Sequence, residues 1–438
     1  MGSYSPNSKA ELKEMMDFIG VSSVEQLYED VPAEVRMKRP LDLPRGRSEM
    51  EAGAAMESLA AQNKVFPSIF RGAGAYNHYI PSIVKYVAAK ERFLTAYTPY
   101  QPEISQGILQ SIFEYQTVIC ELTGMDASNA SIYDGASAMA EAASMCVDKK
   151  RNKVLVSAAC KPDTIETVKT YSKAAGREFV LIDAEGGLTD MDKLKANIEG
   201  AACFCTEMPN YYGIIEDYTG MGEAVHEAGG KFIMGVNPTA LGIFKTPGEY
   251  GADIAVGDGQ PLGMPLSFGG PYLGFMACKA AMTRKLPGRI AGETVDHEGR
   301  RAYVLTLQAR EQHIRRDKAS SNVCSNQANC AIVATAYVGI MGSIGLKEVA
   351  SQCYSKAHYA ASEIGKIPGF ELVFGGKEFF HEFVTSCPVD KDGLMSKLED
   401  NGILGGLPIG DGILWCVTEM NSKEDIDKLV EILKEAAK

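Results

Sequence analysis

The sequence predicts an α/β protein built on a mainly parallel sheet, preceded by an N-terminal helical arm and followed by a small C-terminal α+β domain. Three observations lead there. From about Arg151, short β-rich runs alternate with helical ones, the pattern of parallel strands joined by crossover helices. Ahead of residue 66, short helical runs and prolines leave no material for a core. Past Arg316, a long Ala-rich helical stretch gives way to mixed strands and helices. The expected domains are therefore 1–65, 66–316 and 317–438.

In the arm, Leu12, Met15, Met16 and Ile19 recur at helical spacing across 9–19, and Gly20 supplies a C-cap. A helical run at 23–28, a proline-rich extended stretch at 31–44 and a helix at 49–63 follow. A segment of this kind is expected to lie across another surface. Strands are expected at 153–157, 178–182, 202–206 and 231–235, with helices at 164–175, 191–197 and 218–228. Strands 253–256 and 272–278 are separated by Gly- and Pro-rich loops instead of helices. Sites in open α/β sheets are built at such interruptions, beyond the carboxyl ends of strands. The C-terminal region reads as helices 326–341 and 346–364, strands near 371–374, 378–386 and 413–418, and helices 391–401 and 423–437. Trp415 is assigned to the core.

With 438 residues, 45% of them hydrophobic and 23% charged, the chain has material for a large core. A net charge of −12 without any long basic block excludes nucleic acid as a partner, because phosphate binding needs a clustered basic face. No run of eighteen apolar residues occurs and the start through Glu11 is polar. Neither a membrane span nor a signal peptide is expected, and the expected location is cytoplasmic. The eleven cysteines include no Cys-x-x-Cys pair and sit mostly in apolar runs, as small buried hydrophobes of a reducing compartment do. Six scattered histidines without ligand spacing lead to the expectation of no metal site.

Several long motifs carry a resemblance. They are Phe70-Arg71-Gly72-Ala73-Gly74-Ala75-Tyr76-Asn77; Tyr97-Thr98-Pro99-Tyr100-Gln101-Pro102-Glu103-Ile104-Ser105-Gln106-Gly107; Pro209-Asn210-Tyr211-Tyr212-Gly213; Gly257-Asp258-Gly259-Gln260-Pro261; and Arg310-Glu311-Gln312-His313-Ile314-Arg315-Arg316. Together with shorter matches such as Leu122-Thr123-Gly124-Met125-Asp126, they span nearly the whole chain. They resemble the glycine decarboxylase P-protein family of the glycine cleavage system, and within it the first of two homologous halves. Arm, large domain and small domain are also similar to the aspartate-aminotransferase-like (fold type I) pyridoxal-phosphate enzymes.

The resemblance implies a subunit that joins a homologous, lysine-bearing second subunit, as a heterotetramer. That enzyme decarboxylates glycine and passes the aminomethyl group to the lipoyl group of the H-protein. The chain departs from working pyridoxal enzymes at one place. These hold the cofactor on a lysine after a sheet strand, since imine exchange needs an amine. Loop 258–266 contains no lysine, and Pro261 stands near the expected position. Val236-Asn237-Pro238 also lacks the acid that pairs the pyridinium nitrogen. The cofactor is therefore expected on the partner subunit, with none covalently bound here and no activity of the chain alone. A stand-alone pyridoxal-phosphate-dependent enzyme with its lysine elsewhere, such as Lys245 or Lys279, is the alternative, although Lys279 also reads as a snorkelling strand end. A subunit that only stabilises its partner is another.

Tyr97, Thr98, Tyr100, Gln101 and Glu103 are the candidate contributions to the partner's site, because Pro99 and Pro102 hold the loop extended and its donors at fixed spacing. The plainer account is a stiffened turn before a helix 105–123 capped by Ser105. Arg71 and Asn77 flank a glycine-rich turn or a close backbone approach to ligand. Ser137 stands at a helix start that serves either as an anion site or as a capped end. Tyr211 and Tyr212 follow a strand and either stack on a ring or pack on a helix. Arg310, His313, Arg315 and Arg316 form either an interface cluster or a solvated face on which Glu311 pairs Arg315.

Overall fold

The structure, a computed structural model, describes residues 7–39, 41–319, 321–323 and 327–438. Two compact units divide between Val65 and Phe66. In the first, helix Lys9–Ile19 starts from a Ser8/Glu11 capping box and stops at Gly20, whose φ is 79°. Helix Glu49–Ala60 starts the same way from Ser48 and Glu51. The run expected as a helix at 23–28 is a 3-10 helix, Val24–Tyr28, since five residues give little length for an α-helical ladder. No residue of these elements is buried. The polar first residues, 1–6, on which the expectation of no leader partly rests, lie outside the described residues.

Seven strands form the central sheet of the second unit: β1 (Ala127–Ser128), β2 (Lys153–Ser157), β3 (Glu178–Ile182), β4 (Ala201–Met208), β5 (Lys231–Val236), β6 (Ile254–Asp258) and β7 (Gly274–Cys278). Their order in space is β1-β7-β6-β5-β4-β2-β3. Strands β2 to β6 run parallel, and β7 is antiparallel to both its neighbours. Both faces are covered, which explains why β4 is buried along its whole length and reads apolar without alternation. Phe204, Phe232 and Met234 pack on one face with Tyr115 and Tyr337, while Cys203, Cys205 and Val256 pack on the other with Met139.

A hairpin of β8 (Ile290–Val295) and β9 (Arg301–Thr306), not foreseen from the sequence, follows the sheet. The chain then enters helix Ala328–Ile364, broken at Gly342 (φ 60°) between the two helices that the sequence predicts. Asn326, the expected first residue, lies outside the described residues. The helix is long and apolar enough, by length and composition, to cross a membrane. A third of that apolar window is buried, Ala334 and Tyr337 included, and the second half of the helix buries Cys353, Ala357 and Ala360.

The last sheet joins β10 (Glu382–Ser386), β11 (Leu407–Ile409) and β12 (Gly412–Cys416) in the order β10-β12-β11. Trp415 is fully buried there and donates from Nε1 to Thr385 Oγ1 at 2.9 Å. The strand expected near 371–374 is a turn with one bridge, Leu372 to Thr385, because the Gly375-Gly376 pair ends the extended stretch before a ladder forms.

Candidate functional site

A cavity of about 40 Å3 lies where the carboxyl ends of β4, β5 and β6 meet, the position an open α/β sheet reserves for ligands. Met208 to Tyr211 continue from β4, Asn237 from β5, and Asp258 and Pro261 from β6; the start of helix Gly135–Cys146, Lys161, Tyr76 and Glu382 close it.

Four charged groups decide its chemistry. Glu207 accepts from the Lys161 backbone N–H at 2.7 Å and from Thr164 Oγ1 at 2.8 Å, with Lys161 Nζ 3.7 Å away. Asp258 accepts from Gly135 N at 3.2 Å and Gln260 N at 2.9 Å. Burial pushes its carboxyl upward against those bonds and Lys161. Glu382 accepts from Ala73 N at 2.6 Å and Tyr76 Oη at 2.8 Å; burial raises its carboxyl to about 7. Burial alone would lower the Lys161 ammonium, but Glu207, Asp163, Asp258 and Glu382 outweigh it and hold the group above its ordinary range. A lysine so held is a poor nucleophile, since the free amine is what attacks a carbonyl.

The residues present do not fit pyridoxal phosphate. The cavity adjoins a groove of about 480 Å3 that shares Ala73, Gly74, Gly135, Lys161 and Asp258 with it, so the misfit is one of chemistry and not of room. Pro261 lines the cavity and loop 258–266 has no amine. At the start of helix Gly135–Cys146, where a phosphate would find free N–H groups, the Asp258 carboxylate bonds Gly135 N and Asp134 caps Ser137 N at 2.8 Å. Asn237, at the end of β5, meets the neutral ring of His381 at 3.2 Å; burial, with His78 adding, drives that imidazole well below its usual range. Neither alternative lysine lines the cavity: Lys279 Nζ donates to Gly251 O at 2.9 Å, and Lys245 lies 5.8 Å over the Tyr250 ring.

The sequence-derived candidates fall into two groups. Arg71, Asn77 and Ser137 do not line the cavity. Arg71 donates to the carbonyls of Gly405 and Gly406, both at 3.0 Å, and the Asn77 carbonyl accepts from Thr418 Oγ1 at 2.7 Å. Tyr211 lines it, whereas Tyr212 packs on Phe374 at 4.9 Å.

The second group comes together elsewhere. In loop 97–103, Tyr97, Tyr100, Gln101 and Glu103 are exposed and Thr98 is half-buried. Tyr100 Oη accepts from Arg289 Nη2 at 2.6 Å, and its ring lies 5.8 Å from that of His313. Arg310 donates from Nη1 to Leu286 O. Its buried Nε and Nη2 meet no acceptor among the described residues. The pairing of Glu311 with Arg315 on a solvated face is not what forms: Glu311 is buried, with His313 Nδ1 3.6 Å away, and Arg315 Nε reaches Ala309 O at 3.3 Å. The helix there, Gln312–Arg315, is only four residues long, so no i,i+4 face develops. Arg316 sits at φ 54°. Ser105 occupies the N-cap position of helix Gln106–Thr123, but its side chain makes no capping bond. Gln106, the first helical residue, ties the helix start to the hairpin, donating to Pro102 O at 2.7 Å and Tyr303 O at 2.8 Å.

Glu207, Glu382 and Lys161 were missed by sequence reasoning. A carboxylate inside an apolar strand run, as in Ala201–Met208, was the available signal for the first two.

Sheet order, the antiparallel β7 and a site at the strand ends define the fold type I class of pyridoxal-phosphate enzymes. Sphingosine-1-phosphate lyase from Burkholderia pseudomallei shares this fold, with a TM-score of 0.66 and 12% identity over 93% of this chain and 94% of that one. The model of the glycine cleavage system P-protein family matches residues 2–433. Probable glycine dehydrogenase (decarboxylating) subunit 1 of Moorella thermoacetica is 49% identical over 98% of this chain and 99% of its own. The counterpart from Desulfitobacterium hafniense is also 49% identical, over 98% of each chain. A crystal structure of glycine decarboxylase (P-protein) in inhibitor-bound form superposes with a TM-score of 0.93 at 40% identity, covering 99% of this chain and 100% of that one. The chain belongs to the glycine cleavage system P-protein family.

Proposed function

We propose that this chain is the subunit of glycine decarboxylase that carries no pyridoxal phosphate and works beside a homologous, lysine-bearing second subunit. The pair, doubled to a heterotetramer in the cytoplasm, decarboxylates glycine and passes the aminomethyl group to the lipoyl group of the H-protein. Alone, the chain is inactive. The observation that carries this reading is the content of the cavity: Glu207, Asp258 and Glu382 around a single protonated lysine, where a cofactor needs a free amine and unoccupied N–H groups for its phosphate. The designation of its relatives as subunit 1 supports a second subunit.

An apolar face supports the partnership. Leu94 and Pro271 line two adjoining grooves of about 350 and 440 Å3, and Tyr97 of the first and Phe268, next to Ser267 of the second, are each more than 80% exposed. Contiguous apolar grooves rimmed by exposed aromatic rings mark a surface that another protein covers. Ser267 and Phe268 both hold positive φ, 47° and 53°, a cost of about 1–2 kcal/mol per residue, and the strained turn projects the Phe268 ring outward. The occupant is the second subunit. Loop 97–103 lies beside this face, placed to present its hydroxyls across the contact.

The test is co-expression with the candidate second subunit, followed by exchange between glycine and labelled bicarbonate on each subunit and on the mixture. Exchange only in the mixture is expected. Exchange by this chain alone with added cofactor would overturn the reading.

A further inference from the structure

Away from the cavity, three donor side chains from distant parts of the chain converge. His78 precedes helix Ser82–Ala88, Cys353 lies in the second half of helix Ala328–Ile364, and Glu419 follows β12. In sequence, His78 and Glu419 are 341 positions apart, and Cys353 and Glu419 are 66. One ligand atom from each lies within 4.8 Å of the others. His78 Nδ1 is 2.8 Å from Glu419 Oε2, and Cys353 Sγ is 3.3 Å from the same oxygen. His78 and Cys353 are buried, while Tyr79 and Met420, the residues next to His78 and Glu419, are exposed. The cluster therefore lies just beneath the surface, within reach of an ion.

Imidazole nitrogen, thiolate sulfur and carboxylate oxygen are the ligand set of Zn2+, with bonds of about 2.0–2.3 Å. Tetrahedral geometry then sets donors roughly 3.3–3.7 Å apart, and the 2.8 Å and 3.3 Å separations of His78 Nδ1 and Cys353 Sγ from Glu419 Oε2 come within about 0.5 Å of that. The groups around it match what a metal site needs. His78 Nε2 faces the Thr239 hydroxyl at 3.5 Å, the kind of outer oxygen that fixes the tautomer of a metal-bound histidine. The Tyr79 N–H donates to Glu419 Oε1 at 2.7 Å, which leaves Oε2 turned to the histidine and cysteine. Lys356 Nζ donates to the Glu419 carbonyl at 2.6 Å and holds the loop that carries the carboxylate.

We propose that His78, Cys353 and Glu419 bind one zinc-like divalent ion, which clamps the segment before Ser82 to the long helix and the last sheet. On binding, the Cys353 thiol proton leaves to solvent, and the imidazole proton takes Nε2, facing Thr239. Bonds to Sγ, Nδ1 and Oε2 form in their place. Thiolate and carboxylate together offset the charge of the ion, and a fourth position is left for water. No electron is transferred.

The probe is Co2+, added to the metal-free full-length chain. A thiolate-to-cobalt charge-transfer band saturating at one ion per chain is expected, displaced by Zn2+, with a rise in thermal midpoint in the presence of Zn2+. Cys353→Ser should abolish the band and His78→Gln should weaken Co2+ binding tenfold or more, whereas Cys387→Ser, at a half-buried thiol elsewhere, should keep it. If Cys353→Ser does not fold, Glu419→Gln is measured in its place and should weaken binding to the same degree. No band in the wild type, or a band undiminished in folded triad variants, would overturn the proposal.

Discussion

Arg289 and Tyr100 are joined by a 2.6 Å hydrogen bond from Nη2 to the phenol oxygen, and the guanidinium carbon stands 5.1 Å from the same ring. This contact ties the proline-stiffened loop to the start of the hairpin that follows the sheet. It also brings Tyr100 beside His313, so two stretches that the sequence singles out separately form one surface.

Tyr100→Phe keeps the ring and removes the hydroxyl. Assembly with the second subunit should be unchanged, while turnover of the complex falls on the order of tenfold, the worth of one positioning hydrogen bond of about 1.4 kcal/mol. Steady-state glycine–bicarbonate exchange on the purified complex measures it. Unchanged turnover would favour a subunit that only stabilises its partner.

Phe268→Ser addresses the apolar face. Because the ring is 84% exposed, the isolated chain should keep its thermal midpoint. Association with the second subunit should weaken about 30-fold, as for an anchor worth ~2 kcal/mol. Equal affinity by calorimetry would remove this face from the contact.

Restoring the missing amine with Pro261→Lys should not produce a pyridoxal enzyme. Asp258 holds the helix start and Glu382 the space beside Tyr76, so added cofactor should leave the isolated variant without imine absorbance. A stable yellow protein would show that the lysine alone was lacking.

Glu382 gives the fold a pH dependence of definite sign. Its folded value, about 7, lies above the 4.5 of an ordinary glutamate, so the folded state binds more protons than the unfolded one between those values. Its contribution is fully present below about pH 4.5 and is lost as pH rises through 7. Glu382→Gln keeps an acceptor for Ala73 N and carries no charge. The variant should match or exceed the wild type in thermal midpoint at pH 7.5, and its midpoint should fall less between pH 5 and 7.5. Parallel profiles would show that Glu382 is not the titrating group.

Gly213→Ala tests the loop behind the cavity. Gly213 stands at φ 83°, and a Cβ there would come 1.9 Å from the Glu382 carbonyl oxygen. Strain and overpacking together should cost about 3 kcal/mol or more. A loss of soluble yield, or a large drop in denaturation midpoint, is expected. A midpoint within experimental error of the wild type would contradict the contact.

The parallel strands were legible because burial on both faces writes continuous apolar runs. Strands β2 and β3 and helix Met191–Asn197 stand at their predicted bounds. The missing lysine of loop 258–266 was equally plain, since it concerns residue identity and not position. The hairpin β8–β9 was not, because Glu293 and Thr294 expose a polar strand that carries little hydrophobic signal.

By itself, the amino-acid sequence determined the elements, the family resemblance and the absent amine, all properties of neighbouring residues or of residue type. Only the tertiary structure decided that Glu207, Glu382 and Lys161 enclose one small cavity and that Tyr100 meets Arg289. It alone also set His78, Cys353 and Glu419 around a common point, although the scattered histidines had led to an expectation of no metal site. Long-range juxtaposition depends on how sheets and helices pack, and packing joins side chains whose separation in the chain carries no local signal.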